Sequence, residues 1–208
     1  MKRIIACRFG DKFTQWHVDN LKYMIDEYSG IEYDTFEVIE TDLYGNWYNK
    51  FQMYDKFRDG ENLYFDLDVV IYDKLPYLYR EEFTLLDDTW WRPDWGHTPL
   101  NSSIVSWTGD VSHIWEKFWP YADVYMRKYN LGSDEFYYKE IEYNTFDQAV
   151  CPKIWLASPH AGCGIVTLGQ MHHLMEEGWT GWWTKYFMPP LYPKLRKDTL
   201  LEKRITSS

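Results

Sequence analysis

From Arg3 to Ile71 the apolar residues switch repeatedly between a strand period and a helix period, and that alternation restricts the chain to an α/β fold. Arg3 to Phe9 reads as a strand ending at Gly10-Asp11. Thr14 to Tyr28 follows with Leu21, Met24, Ile25 and Tyr28 at i, i+3, i+4, i+7, one face of a helix, and Ser29-Gly30 stops it. Tyr33 to Ile39 alternates as a second strand, and Trp47 to Phe57 reads as an aromatic-rich helix. After the Asp59-Gly60 turn, Leu63 to Ile71 is the third strand. Strand, helix, strand, helix, strand predicts a βαβαβ unit and a largely parallel sheet. We expect a single domain over 1–188 and a basic tail over 189–208.

Further along, Glu82 to Leu86 reads as a short strand that delivers Asp87-Asp88, and Ser103 to Trp107 as another. His113 to Tyr129 has helical character interrupted at Pro120, because proline removes a backbone donor and clashes with the preceding turn. Ser133-Asp134-Glu135 opens a short helix with a serine cap, and Ile165 to Glu177 reads as a helix ended by Gly178. Lys153 to Leu156 is strand-like. Across 208 residues the formal charge is −10, which repels nucleic-acid phosphates and disfavours a nucleic-acid partner. Cys7, Cys151 and Cys163 are too few and too scattered for a disulfide framework or a cysteine zinc site, so a reduced, cytoplasmic setting is expected. No stretch approaches the roughly 20 apolar residues of a membrane span, and Met1 to Gly10 lacks a leader pattern.

The third strand carries the chemistry. Tyr64-Phe65-Asp66-Leu67-Asp68-Val69-Val70-Ile71 places two aspartates one residue apart in an apolar run. If the strand continues through them, Asp66 and Asp68 share a face, where their mutual repulsion is relieved by a hard divalent cation such as Mg²⁺ or Mn²⁺. If the strand ends near Leu67, both acids are solvated at its rim. In either case they lie toward the carboxyl end of a third strand, where open α/β sheets bind ligands.

The order of motifs resembles small GT-A-fold, sugar-nucleotide-dependent glycosyltransferases of phage and bacterial type. The resemblance runs through Arg8-Phe9-Gly10-Asp11-Lys12-Phe13, Gly45-Asn46-Trp47-Tyr48-Asn49-Lys50-Phe51, Phe65-Asp66-Leu67-Asp68, Leu85-Leu86-Asp87-Asp88, Asn101-Ser102-Ser103 and Gly132-Ser133-Asp134-Glu135-Phe136. It implies a single Rossmann-like GT-A domain, with a central mixed, mostly parallel sheet flanked by helices, and hexose transfer from a nucleotide-diphosphate sugar, with UDP-glucose or a similar UDP-sugar favoured. The first turn, Phe9, Gly10, Asp11 and Lys12, would hold the base, and Lys50 would meet the diphosphate. Asp66 and Asp68 would hold Mn²⁺ or Mg²⁺, with Asp66 also reaching the ribose. Asp87, Asn101 and Ser102 would line the donor sugar. Asp134 or Glu135 would act as general base toward the acceptor hydroxyl, and His160, in Pro159-His160-Ala161-Gly162, would complete the metal shell.

Each assignment has an ordinary alternative. Turn residues occur at any strand end, lysines are mostly solvated, acids in a first helical turn complement the helix dipole, and a lone histidine is more often structural. His172 and His173 compete with His160, and Trp90, Trp91 and Trp95 could close over a donor or simply pack. The residues fit a retaining as well as an inverting outcome. The acceptor class is open among a glycan, a lipid-linked sugar, a protein and a small molecule. Two other classes compete. In a haloacid dehalogenase-like phosphatase Asp66 would be the nucleophile and Asp68 the acid/base, but that motif normally ends the first strand. A non-catalytic carbohydrate-binding protein would explain an aromatic content of 20% but not the acid pair.

Overall fold

The computed structural model describes residues 1–11, 13–71, 74–75, 77–87, 98–130 and 132–146, together with the strands at 154–156 and 165–167. It divides into two compact units. The first unit, residues 1–10, 32–66 and 76–152, holds the main sheet. Its strands are β1 (Lys2–Cys7), β2 (Thr35–Ile39), β3 (Glu61–Phe65), β5 (Thr84–Asp87), β6 (Leu100–Thr108) and β7 (Asn144–Thr145), ordered β2-β1-β3-β6-β5-β7. β1 runs parallel to β2 and β3, β6 runs antiparallel to β3 and β5, and β7 is parallel to β5. The expected mixed, mostly parallel α/β sheet is present.

The second unit, residues 11–31, 67–75 and 153–208, contains α1 (Gln15–Met24), which continues into a π-helical turn over Ile25–Ser29. Its three-stranded sheet has the order β4-β9-β8, from β4 (Val69–Ile71), β8 (Ile154–Leu156) and β9 (Ile165–Thr167). The Ser29 hydroxyl donates to the Ile25 carbonyl and accepts from the Ile31 N–H, closing the wide turn before Gly30 takes a left-handed φ of 68°.

Several expectations are corrected. Leu63 to Ile71 is not one strand: β3 ends at Phe65, residues 66–68 leave strand geometry, and β4 resumes in a different sheet. The face-sharing argument for Asp66 and Asp68 therefore lapses. Ile165 to Glu177 does not begin a helix, because Ile165-Val166-Thr167 pairs with β4 and β8, as suits a β-branched run. Trp47 to Phe57 splits into a 3₁₀ turn, Trp47–Phe51, and α2, Gln52–Lys56. The break expected at Pro120 is a 3₁₀ turn, Trp119–Tyr121, between α3 (His113–Phe118) and α4 (Ala122–Lys128). Ser133 is the first residue of α5 (Ser133–Glu140) rather than its cap; Gly132 precedes it with no side-chain cap.

Aromatic rings fill the core of the first unit. Tyr48, Phe51 and Tyr54 recur every third residue, the repeat of a 3₁₀ helix, so they line one face of the 3₁₀ turn and α2. Phe51 is fully buried; it stacks on Tyr137 of α5 at 5.0 Å and lies 4.5 Å from Phe118 of α3. Tyr54 and Tyr137 share a hydroxyl hydrogen bond of 2.8 Å, and Tyr48 donates to the carbonyls of Tyr129 and Gly132 at 2.8 and 3.2 Å. Buried hydroxyls that would otherwise be costly are thus paired, and together with the rings they fix α5 to the segment bearing Lys50. At the far end of α5, Glu140 accepts from Lys128, Tyr129 and Lys117, tying that helix to α3 and α4.

Candidate active site

The strand ends of the first unit bring together residues far apart in sequence. β3 and β6 are antiparallel, with Phe65 opposite Ile104, and the Asp66 N–H donates to the Ser103 carbonyl at 2.8 Å. The carboxyl end of β3 therefore meets the start of β6. Against β5 the β6 register slips: Leu85 opposes Val105, but Leu86 opposes Asn101. Ser102, Ser103 and Ile104 consequently have no β5 partner, an irregularity of the kind that re-aims side chains near functional sites. Asn101 turns its side-chain Oδ1 back to accept from the Ser103 N–H at 2.9 Å.

Lys50 is the centre of the cluster. It is 4% exposed, and its Nζ donates to the Ser102 Oγ at 2.7 Å and the Ser102 carbonyl at 3.0 Å. Asp66 Oδ1 lies 3.5 Å from the same ammonium and accepts from the Tyr64 hydroxyl at 2.5 Å. The Lys50 Nζ also sits 5.3 Å over the Tyr64 ring. Asp134, at the first turn of α5, accepts from the Ser102 N–H at 3.0 Å and from the Ser102 hydroxyl. Although part of the Asp134 side chain is exposed, its carboxyl faces this buried serine. Burial pushes its proton affinity up, against the pull of the Lys50 charge and the Ser102 hydrogen bonds. Cys7, at the end of β1, is buried, and its thiol is pushed up to about 12, with the nearby Lys50 charge opposing that rise.

The loop before Lys50 is built around a buried asparagine. Asn49 Oδ1 accepts from the N–H groups of Leu43 and Tyr44 at 2.7 and 3.1 Å, and its amide donates to Asp42 Oδ1 at 2.7 Å. Asp42 also accepts from the Gly45 N–H at 2.6 Å. These bonds, led by that from Gly45 and joined by one from the Gly10 backbone, hold the Asp42 carboxyl below the usual range. The turn after β1 and the segment carrying Lys50 are thereby tied together.

Of the residues expected from the sequence, Lys50, Ser102 and Asp134 form one hydrogen-bonded cluster that Asp66 joins through its ion pair with Lys50, with Asn101 next to it on β6. Phe9 is half-buried against the core, and Gly10 is exposed with φ 56°. Glu135 follows Asp134 and is partly exposed; it makes no hydrogen bond or ion pair among the described residues. Asp87 ends β5 opposite Leu100, one step from Asn101. Asp11 is exposed and begins the second unit; Asp68, 6% exposed, also belongs to that unit. Lys12, Asp88, the Trp90–Trp95 stretch, His160, His172 and His173 lie outside the described residues. Tyr64 and Asp42 were missed. Tyr64 stands two residues before Asp66 in the strand period, and Asp42 with Gly45 fits a turn with Asp first and Gly fourth; both signals were readable.

Among the described residues no three His, Cys, Asp or Glu side chains gather into a metal-binding group. Carboxylate oxygens are the ligands a hard cation takes; Asp66 offers them at the end of β3 in the first unit, and Asp68 belongs to the second unit.

No protein-family model and no curated sequence matches the chain. Solved structures do. An active-site mutant of LgtC is similar with a TM-score of 0.59 and 10% identity, over 92% of this chain and 98% of that one. A glycosyltransferase involved in glycosylation of the major capsid of PBCV-1 gives 0.57 and 14%, over 81% and 92%. The glycosyltransferase GlyE of Streptococcus pneumoniae TIGR4 gives 0.56 and 10%, over 98% of this chain and 64% of GlyE. At these identities the shared property is the fold: the chain has the α/β fold of GT-A glycosyltransferases.

Proposed function

We propose that the protein is a glycosyltransferase that moves a hexose from a nucleotide-diphosphate sugar to an acceptor hydroxyl. The observation that carries this reading is the buried Lys50, held by Ser102 and Asp66 at the carboxyl end of β3 within that fold. A buried ammonium poised beside a strand end suits a diphosphate, whose charge it would meet in a site shielded from water. LgtC, a neighbour in fold, has been solved in complex with donor and acceptor sugar analogs, which supports transfer from a sugar donor to a sugar acceptor. UDP-glucose or a similar UDP-sugar is the favoured donor.

In this reading Phe9, Gly10, Asp11 and Lys12 contact the base, and Asp66 reaches the ribose. Asp87 and Asn101 line the donor sugar, while Ser102, expected beside them, is 2% exposed and taken up by Lys50 and Asp134. Asp66 and Asp68, with His160 as a third ligand, would hold Mn²⁺ or Mg²⁺. That ion would neutralise charge building on the departing nucleoside diphosphate. Asp134 is committed through Oδ1 to Ser102, so Glu135 is the better placed of the two to take the proton of an acceptor hydroxyl. The few, scattered cysteines support a cytoplasmic setting; separately, no helix among the described residues is long and apolar enough to cross a membrane.

A thermal-shift panel of UDP, GDP and CMP sugars, with and without Mn²⁺, tests the reading. Stabilisation by one nucleotide that depends on metal and disappears in Asp68→Asn supports it. Silence toward every nucleotide, with hydrolysis of a generic phosphate ester, would transfer the assignment to a phosphatase using Asp66.

A further inference from the structure

Ser102 occupies an unusual position in the cluster. Its hydroxyl accepts from the Lys50 ammonium and donates to the Asp134 carboxylate, while its N–H donates to the same Asp134 oxygen and its carbonyl accepts from Lys50. One residue thus meets the cation with two acceptors and the anion with two donors. The Ser133 hydroxyl stands 3.3 Å from the Ser102 Oγ, on the first turn of α5. Ser102 is 2% exposed and lies in the stretch of β6 that β5 does not grip, so its hydrogen bonds are made with side chains from other elements instead of water.

We propose that Ser102 is a positioning residue that couples Lys50 to Asp134, so that the group meeting the donor's diphosphate and the acid at the head of α5 are set as one unit. The geometry gives this its direction. The Ser102 hydroxyl has a single proton, and with Lys50 donating to its oxygen that proton is directed to Asp134. Drawing Lys50 away toward a phosphate would leave the hydroxyl free to rotate, and Asp134 would lose both a fixed donor and a neighbouring positive charge. Hydrogen bonds linked in series through a buried hydroxyl reinforce one another, so loss of one end is felt at the other. Only the consequence for a donor rests on the glycosyltransferase reading; the coupling itself is a property of this chain.

The test is a double-mutant cycle in urea at pH 7. Lys50→Met, Asp134→Asn and their combination are made in the parent chain and in Ser102→Ala and Ser102→Thr backgrounds. The expected result is non-additivity of about 5-fold in the unfolding equilibrium constant in the parent. Ser102→Thr, which keeps the hydroxyl, should retain it, and Ser102→Ala should cut it to under half. Additive effects in the parent, or coupling undiminished in Ser102→Ala, overturn the proposal. A second measurement requires no change at residue 102: the Asp134 carboxyl carbon resonance should move in Lys50→Met, and an unmoved resonance also overturns it. With a nucleotide sugar that the parent turns over, Ser102→Ala should lower kcat about 10-fold or more while KM changes by less than about 3-fold, and threonine should restore it. An unchanged kcat rejects the positioning role. A parent chain that binds no nucleotide sugar instead rejects the proposed function, while the cycle and the resonance still decide the coupling.

Discussion

Replacing Lys50 with Met keeps the length of the side chain and removes only its charged head. Lost with it are two hydrogen bonds to Ser102, at 2.7 and 3.0 Å, and the 3.5 Å approach to Asp66. At an effective dielectric of about 20 the attraction to Asp66 alone is about 5 kcal/mol, and burying the ammonium cancels much of it. Removing one member of a fully buried pair costs about 3–5 kcal/mol. Asp66 keeps 28% of its side chain in water, which screens the charge left behind, so we expect a loss of about 2 kcal/mol at pH 7. The penalty should shrink as pH falls through the carboxylate range, because protonating Asp134 removes a negative charge that Lys50 stabilises. Urea unfolding of parent and variant at pH 7 and pH 4 gives both quantities. A loss under about 0.5 kcal/mol at pH 7, or a larger loss at pH 4, would refute the view that the ammonium is held by charge and hydrogen bonds.

Four further outcomes are expected. Burial raises the proton affinity of Asp134, so at neutral pH the charged form burdens the fold. Asp134→Asn should be at least as stable as the parent at pH 7 by urea titration, with the advantage fading as pH drops and the parent's carboxyl takes up its proton. Glu140 is held at about 2 by Tyr129, Lys128 and Lys117, so its contribution is present above about 4.5 and fades toward 2. The bridging lysines are exposed, so the gain should stay below about 1 kcal/mol, seen as a melting-temperature gap between parent and Glu140→Gln that closes in acid. Gly60 has φ 71°, and a Cβ there would meet the Met1 carbonyl oxygen at 2.5 Å; Gly60→Ala should cost about 1–3 kcal/mol in a thermal melt. The Cys7 thiol, pushed up to about 12, should resist iodoacetamide at pH 8 until urea unfolds the chain, as peptide mass spectrometry of that residue would reveal.

The lead of alternating strands and helices was legible because each segment declares its own period over a short window. Where two outcomes share one window, the sequence misled. Ile165-Val166-Thr167 can start an apolar helix face or a strand, and only its pairing with β4 and β8 decides. The stretch from Leu63 to Ile71 looks continuous, yet its two halves enter different sheets. The candidate site divides in the same way. Lys50, Asp66, Ser102 and Asp134 could each be named, but the contact between Ser102 and Asp134 spans 32 positions and depends on the β6 register slip, which leaves no local signature. The abundance of aromatics was visible as composition alone. Its use, fixing α5 to the Lys50 segment through Tyr48, Phe51 and Tyr54, arises only once the 3₁₀ repeat has lined up those rings.

The slip in β6 bears on how such a chain can change over generations. Ser102, Ser103 and Ile104 are unpaired toward β5, while Phe65 and Asp66 still grip the same stretch from β3. A substitution there alters what projects from the strand without unzipping either neighbour, since one ladder was never closed and the other uses backbone atoms. The latitude lies in the backbone ladder alone: all three side chains are buried, so their packing and hydrogen bonds, not strand pairing, decide which changes are tolerated. The flank at Val105 and Ser106 has less latitude, because each of those residues is paired with both β3 and β5.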